Sequence, residues 1–193
     1  MPAREWQSRR ARTLLKRLVV AQGWPVTRDE LFDLLWPDET DRNKLGARLS
    51  VQLSHVRRVL GGGVIADRET VALDRSHVST DLDVALSAEG DDEAVIEAIT
   101  GEFLPDDRYE DWTAPMREQL RSSLAAALRR RLDASSGRSD TSDERVAVAR
   151  RLVEIDEWSA SSHLLLIDAL EAAGDETGAR LARERLRELG IDS

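Results

Sequence analysis

The residues with the clearest chemical potential lie between Arg42 and Leu60, where basic and short polar side chains recur along one side of a stretch with helical periodicity. No Asp or Glu occurs from Arg42 to Ala66, although the chain contains 37 acidic residues. A surface that lacks carboxylates is not repelled by a polyphosphate, so this stretch is suited to contact with a nucleic acid. In such a contact, lysine and arginine bind phosphates while short side chains meet the edges of bases.

The polar side of this stretch divides into candidates for phosphate contact and candidates for base contact. The phosphate candidates are Lys44, Arg48 and Arg58, the base-edge candidates are Ser50, Val51, Ser54 and His55, and Arg57 belongs to the same DNA-binding set. Val51 is the sharpest case, because an apolar residue on a polar side can meet a thymine methyl group or pack against a neighbouring hairpin. For the whole segment, the alternative is an amphipathic helix whose arginines serve only solubility.

Three helices are expected to position these side chains. The other side of the stretch from Arg42 to Leu60 carries an apolar stripe suited to burial, made of Leu45, Leu49, Leu53, Val56, Val59 and Leu60. Ser8 can cap a preceding helix over RRARTLLKRLVVA, and the T-x-x-E pattern of Thr27 and Glu30 predicts a second helix that stops before Pro37. Thr40 or Asp41 then caps the third helix. Short turns between three such helices fit a helix-turn-helix arrangement.

A β-hairpin is predicted directly after the third helix, which the run Gly61-Gly62-Gly63 ends. Two short β-rich runs, Val64-Ile65-Ala66 and Val71-Ala72-Leu73, flank a polar turn, as in the wing of a winged helix. Arg68 at the tip, and Arg75 after it, can reach a sugar-phosphate backbone. The acidic neighbours Asp67 and Glu69 would weaken that contact.

Charge and pattern divide the chain near residue 80. The net charge of −9 is the sum of +4 over residues 1–80 and −13 over residues 81–193. This asymmetry is typical of a basic binding module joined to an acidic partner module. We therefore predict a DNA-binding domain over residues 1–78 and a helical domain over residues 79–193.

The second domain is predicted to be entirely helical. Apart from two short amphipathic pieces after residue 79, its predicted helices cover 116–132, 146–155, 160–173 and 176–189, and a polar run, ASSGRSDTSDE, is predicted to form a local loop. Val148, Arg151, Leu152 and Glu154 match Ala182, Arg185, Leu186 and Glu188 at an offset of 34, the tetratricopeptide (TPR) period. Stacked helical hairpins commonly bind proteins, so we expect this domain to bind a second copy, RNA polymerase or a sensor region.

Composition argues against other classes of protein. The chain has no cysteine and three scattered histidines, and no catalytic constellation or metal site is found, so no enzymatic activity and no cofactor are expected. The absence of an apolar run near the length of a membrane span, and of an export signal, predicts a cytoplasmic protein without a membrane partner. The five tryptophans are interpreted as packing residues, with Trp24 expected on the first helix.

The sequence resembles a known family of regulators. WQSRRARTLLKRLVVAQGWPVTRDELFDLLWPDE, followed by LSVQLSHVRRVLG, is similar to the OmpR-type winged helix of the Streptomyces antibiotic regulatory protein (SARP) family. GEFLPDDRYEDWTAPMREQL and SSHLLLIDALEAAGDETGARLARERL resemble the bacterial transcriptional activation domain of that family. Two departures stand out: family members usually have a β-strand segment ahead of the first helix, and the wing here is short and carries acidic residues, which argues against DNA contacts there. In the third helix, Ser50 and His55 also stand where longer polar or basic residues are expected.

Residues and resemblance together predict a mainly α-helical protein, with a winged helix-turn-helix and a small β-hairpin wing followed by a TPR-like helical domain. The expected function is sequence-specific binding of double-stranded DNA through the helix from Arg42 to Leu60, as a transcriptional activator. Two protomers, a homodimer at least on DNA, would occupy repeated half-sites. The alternative is a protein-interaction adaptor, or a regulatory fragment of a larger signalling protein, that does not itself bind DNA.

Overall fold

The computed structural model describes residues 6, 8–88, 90–134 and 141–191. The helices are α1 Arg9–Val20, α2 Arg28–Leu35, α3 Arg42–Leu60, α4 Asp81–Ser87, α5 Asp92–Ala98, α6 Ala114–Ala134, α7 Ser142–Ile155, α8 Ala160–Ala172 and α9 Glu176–Leu189. The strands are β1 Val26–Thr27, β2 Val64–Ala66 and β3 Thr70–Leu73. The prediction of a mainly α-helical protein is confirmed. Among the residues described, no helix combines the length and the apolarity that a membrane crossing requires.

The described residues form two compact units. The first comprises those up to Val84 together with Asp106–Met116, and the second comprises those of Ala85–Pro105 and those from Arg117 onward. The first unit therefore contains a segment that returns to it from farther along the chain. Each unit has its own cluster of buried apolar side chains.

Helix starts in the first unit follow the capping residues that the sequence indicated. Ser8 accepts a hydrogen bond from the backbone N–H of Ala11, and Thr27 accepts one from that of Glu30. Asp41, rather than Thr40, caps α3 by accepting from the N–H groups of two residues in its first turn. These side chains satisfy helix N–H groups that have no partner within the helix, so they set where each helix begins.

The predicted β-hairpin is present, and a third strand joins it. Strand β3 lies between β1 and β2, and both pairings are antiparallel, with Ile65 opposite Ala72 and Val26 opposite Val71. Strand β1 is only two residues long and was not predicted from the sequence, because its pattern is too short to recognise. Gly61 ends α3 in the left-handed conformation, with φ of 67°.

The core of the first unit is built from α1, α2, α3 and the sheet. The apolar stripe of α3 supplies Leu45, Leu49, Leu53 and Val56, all buried as predicted, whereas Val59 and Leu60 are half-buried. The other buried members of the cluster are Ala11, Leu14, Leu15, Leu18, Val26, Leu31, Phe32, Leu35, Trp36, Val71 and Leu73. Burial of this face fixes the orientation of α3 and leaves its polar side in solvent.

The returning segment packs on α1. Its short 3-10 turns, Pro105–Asp107 and Asp111–Thr113, precede α6, and the hydroxyl of the fully buried Thr113 donates to the carbonyl of Glu110 at 2.8 Å. Asp107 forms an ion pair with Lys16, and Asp106 lies 3.5 Å from the guanidinium of Arg12. Two cations of α1 are therefore neutralised within the unit.

The second unit is helical in its described part. Leu124, Leu128 and Leu132 of α6 pack with buried side chains of α5, α7, α8 and α9. Helix α8 packs against both α7 and α9. Residues 135–140 of the predicted loop lie outside the described residues, and its end belongs to α7, which Thr141 starts with a complete capping box.

The tryptophans do not all pack as expected. Trp36 is buried and lies under the guanidinium of Arg10, but Trp24 is 77% exposed and Trp158 is 69% exposed. The prediction that Trp24 packs on the first helix is wrong. Its neighbour Gln22 has a positive φ of 53°, and this turn directs the chain from α1 into β1, leaving the indole in solvent.

Candidate nucleic-acid interface

Helix α3 presents its predicted binding side chains to solvent. Those of Lys44, Arg48, Ser50, Val51, Ser54, Arg57 and Arg58 are exposed, and His55 is half-buried. With 3.6 residues per turn, Lys44, Val51, Ser54 and Arg58 lie roughly opposite the buried stripe, while Arg48 and Arg57 lie on its two flanks. The middle of the exposed side is thus made of small side chains, with cations at its ends and edges.

The two serines of this surface are bonded to their own helix. The Ser50 hydroxyl donates to the carbonyl of Gly46 at 2.9 Å, and the Ser54 hydroxyl donates to that of Ser50 at 3.0 Å. Each oxygen keeps lone pairs for an outside donor, such as an amino group of adenine or cytosine. Val51 stands between them, 52% exposed. Packing of Val51 against the hairpin, the alternative left open by the sequence, does not agree with this exposure.

Cations near the start of α3 are paired with carboxylates. Lys44 lies 3.6 Å from Asp41, and Arg48 lies 3.1 Å from Glu39 in the loop between α2 and α3. Arg42 forms an ion pair with Asp29 of α2, whose hydrogen bond raises the pKa of the arginine further above its ordinary value. Helix α3 contains no acidic residue, but the fold places carboxylates from outside the helix beside its first half.

Cations near the end of α3 have no carboxylate partner among the described residues. Arg57 donates from Nη2 to the backbone carbonyl of Val64 in β2, at 3.3 Å. The side chain of Arg58 makes no hydrogen bond or ion pair with any residue that the structure describes. The positive charge of this surface is therefore most available at the C-terminal end of α3 and beside the hairpin.

The hairpin tip presents Arg68 between two acidic residues. Arg68 is exposed and has no ion-pair partner in the described chain. The Asp67 carboxylate accepts from the backbone N–H groups of Glu69 and Thr70, both at 2.7 Å, and these bonds lower the pKa of Asp67 below its ordinary value. Asp67 therefore closes the turn and stays ionised beside Arg68, so its negative charge still opposes a phosphate there. Arg28 of α2 donates to the Asp67 carbonyl at 2.9 Å and ties the tip to α2.

Arg75 is not available for the phosphate contact that the sequence suggested. Its guanidinium lies 2.6 Å from the carboxylate of Asp83 and donates to the backbone carbonyl of Gln22 at 3.3 Å. Arg75 thus joins the turn after α1 to the start of α4. The sequence could not predict this contact, because Gln22 and Arg75 are far apart in the chain and only the tertiary structure brings them together.

Sequence reasoning missed two contacts that shape the surface. Glu39 holds Arg48, and Ser8 links α1 to α3 by donating to the side chain of Gln52 at 2.6 Å. Glu39 had one recognisable signal, since it is an acidic residue just before an acid-free helix. No group of His, Cys, Asp and Glu suited to a metal ion is found among the described residues.

Comparisons with protein-family models and with curated proteins find no match to this sequence.

Proposed function

We propose that the protein is a sequence-specific DNA-binding transcriptional regulator that acts as an activator. The observation that carries the proposal is the exposed side of α3, where small side chains form the middle and where Arg57 and Arg58 have no carboxylate partner among the residues described. Small side chains in the middle of this side let the helix approach the base edges in a major groove. Cations at the ends and edges of the same side meet the phosphates that border the groove.

In the proposed complex, the three helices and the hairpin of the first unit act as a winged helix-turn-helix. Helix α3 enters the major groove, where Val51 meets a thymine methyl group and Ser50, Ser54 and His55 face base edges. Arg57, Arg58, Lys44 and Arg48 set the register on phosphates. Arg68 at the hairpin tip reaches the backbone beside the groove.

The resemblance to the SARP family supplies the rest of the proposal. Residues 1–78 would form the DNA-binding domain, and residues 79–193 would form a TPR-like activation domain that binds RNA polymerase or a second copy. One winged helix covers few base pairs, so two protomers on repeated half-sites would supply the affinity. A bacterial cytoplasm would suit this function.

The test is selection from a random duplex pool at near-physiological salt with excess competitor DNA, using the wild type and Arg58→Ala in parallel. The Arg58 side chain is exposed and forms no ion pair or hydrogen bond with a described residue, so its replacement should leave the fold intact. Loss of one phosphate contact should weaken binding to all duplexes and reduce the salt slope by about 1. Enrichment of a repeat by the wild type supports the proposal.

The second candidate function is that of an adaptor that binds a protein through the same surface. The pairing of Lys44 and Arg48 with acids favours it, because each pair reduces the charge available to DNA. No enrichment by a well-folded wild type, at low as well as at near-physiological salt, would refute DNA binding and favour the adaptor.

A further inference from the structure

Glu39 is built into the loop before α3 more firmly than an ordinary surface acid. Its Oε1 accepts from the backbone N–H of Asp41, the N-cap of α3, at 3.2 Å, and its Oε2 lies 3.1 Å from Nη1 of Arg48. Its side chain is only 24% exposed, whereas that of Arg48 is 48% exposed. The loop thus fixes the carboxylate, and the carboxylate fixes the arginine.

We infer that Glu39 competes with DNA for Arg48 and thereby lowers the affinity of the proposed interface for phosphate. This inference rests on the proposed function. Arg48 lies on a flank of the exposed side of α3, where a cation meets the phosphates that border a groove. To contact a phosphate fully, its guanidinium has to leave Glu39 or share its charge with it.

The consequence concerns the balance between specific and non-specific binding. Phosphate contacts contribute to binding of every sequence alike, whereas base contacts distinguish sequences. An internal carboxylate that weakens one phosphate contact therefore lowers affinity for random DNA without removing any base contact. Glu39 is a positioning residue in this scheme, since it acts on DNA only through Arg48.

Glu39→Gln tests this inference with little change of shape. Glutamine keeps an oxygen that can accept from the Asp41 N–H, but it carries no charge to hold Arg48. We expect Glu39→Gln to raise affinity for a random-sequence duplex about two- to fivefold, the range of one surface ion pair. The slope of log affinity against log salt should steepen by up to about 0.9.

The matched control is Asp38→Asn, which removes the same charge from the neighbouring position. Asp38 is exposed and forms no ion pair with a described residue, so removal of its charge changes only the overall electrostatic field of the protein. The same two substitutions are then made in an Arg48→Ala background. There, Glu39→Gln should lose its advantage over Asp38→Asn, because no arginine remains to be released.

Binding is measured by fluorescence anisotropy at several salt concentrations, with circular dichroism to check that each variant is folded. Equal gains for Glu39→Gln and Asp38→Asn, or a gain that persists without Arg48, would overturn the inference. Weaker binding by Glu39→Gln would also overturn it, because it would mean that Glu39 assists the contact. If the folded wild type binds no duplex at any salt concentration, the proposed function itself fails, which is a distinguishable result.

Discussion

Gly63, between α3 and the hairpin, offers the sharpest test of the fold that positions the candidate interface. Its φ is 69°, and a Cβ atom built on it would lie 2.4 Å from Cγ2 of Val78. Gly63→Ala should therefore destabilise the first unit in two ways, through the left-handed backbone and through steric overlap. The backbone carbonyl of Gly63 also accepts from the N–H of Asp74 at 3.0 Å, so displacement of this residue would disturb the end of the hairpin.

Gly61 provides the control that separates these two effects. Its φ of 67° is nearly the same, but a Cβ atom there would meet nothing within 4 Å. Gly61→Ala should cost only the left-handed penalty, about 1–2 kcal/mol of unfolding free energy. Gly63→Ala should cost about 1–3 kcal/mol more, the usual range for overpacking. In urea, that extra loss corresponds to a further fall in the midpoint of about 0.5–1.5 M.

Tryptophan fluorescence can report the first unit selectively. Trp6, Trp24, Trp36 and Trp112 lie in the first unit, and Trp158 lies in the second. Trp158 is exposed, so a Trp158→Phe background should remain folded and leave all the signal in the first unit. Urea unfolding of both glycine variants in this background then gives the two free-energy differences.

A second substitution strengthens the test. Val78→Ala removes the methyl group that the new Cβ would meet, so it should restore part of the stability lost in Gly63→Ala. Equal destabilisation by Gly61→Ala and Gly63→Ala, with no rescue by Val78→Ala, would refute the steric argument and the placement of the hairpin against Val78.

Two further predictions concern the binding surface and the second unit. Val51→Asp should abolish duplex binding, because it places a carboxylate at the centre of the exposed side of α3, whereas Val51→Ala should weaken binding only a few-fold. An electrophoretic mobility shift assay measures the affinity of both variants. Retained affinity in Val51→Asp would mean that this side of α3 does not face DNA. In the second unit, hydrogen bonds from Arg130 hold the pKa of Asp92 below its ordinary value. This pair therefore stabilises the folded state at pH values above the unfolded pKa of about 4, and the stabilisation is lost as the pH falls through the lower folded pKa. Between about pH 5 and pH 2, the free energy of unfolding should therefore fall less for Asp92→Asn than for Asp91→Asn, which removes the same charge but keeps a helix-capping side chain. Urea unfolding followed by circular dichroism measures both decreases, and equal decreases would contradict the argument.

Much of the fold could be predicted because the signals were local. Ser8, Thr27 and Asp41 cap helices through hydrogen bonds to residues two or three positions away, and each was recognisable from its place before an apolar pattern. Helix α9 has the predicted bounds, and α3 buries the first four residues of its predicted stripe. The hairpin was predictable because glycines end α3 and a polar turn then separates two β-rich runs.

Only part of the candidate surface could be predicted from the sequence. The residue types and their common side of α3 follow from helical periodicity, and the structure agrees with their exposure. Their electrostatic partners did not follow, since Arg48 meets Glu39 and Arg75 meets Asp83 through the conformation of the loops between them. Trp24 was expected to pack on the first helix, but the turn at Gln22 directs it outward.

Local sequence is enough to set where helices begin, which side of each is apolar and where the acid-free stretch lies, because these features depend on neighbours within one or two turns of a helix. Tertiary structure, in contrast, determines which cations are paired with a carboxylate and which remain able to pair with a ligand. It pairs Arg48 with Glu39, leaves Arg58 without such a partner among the described residues, and returns Asp107 to Lys16 from a distant part of the chain. An ion pair depends on distance in space, and the packing of α1, α2, α3 and the sheet sets that distance.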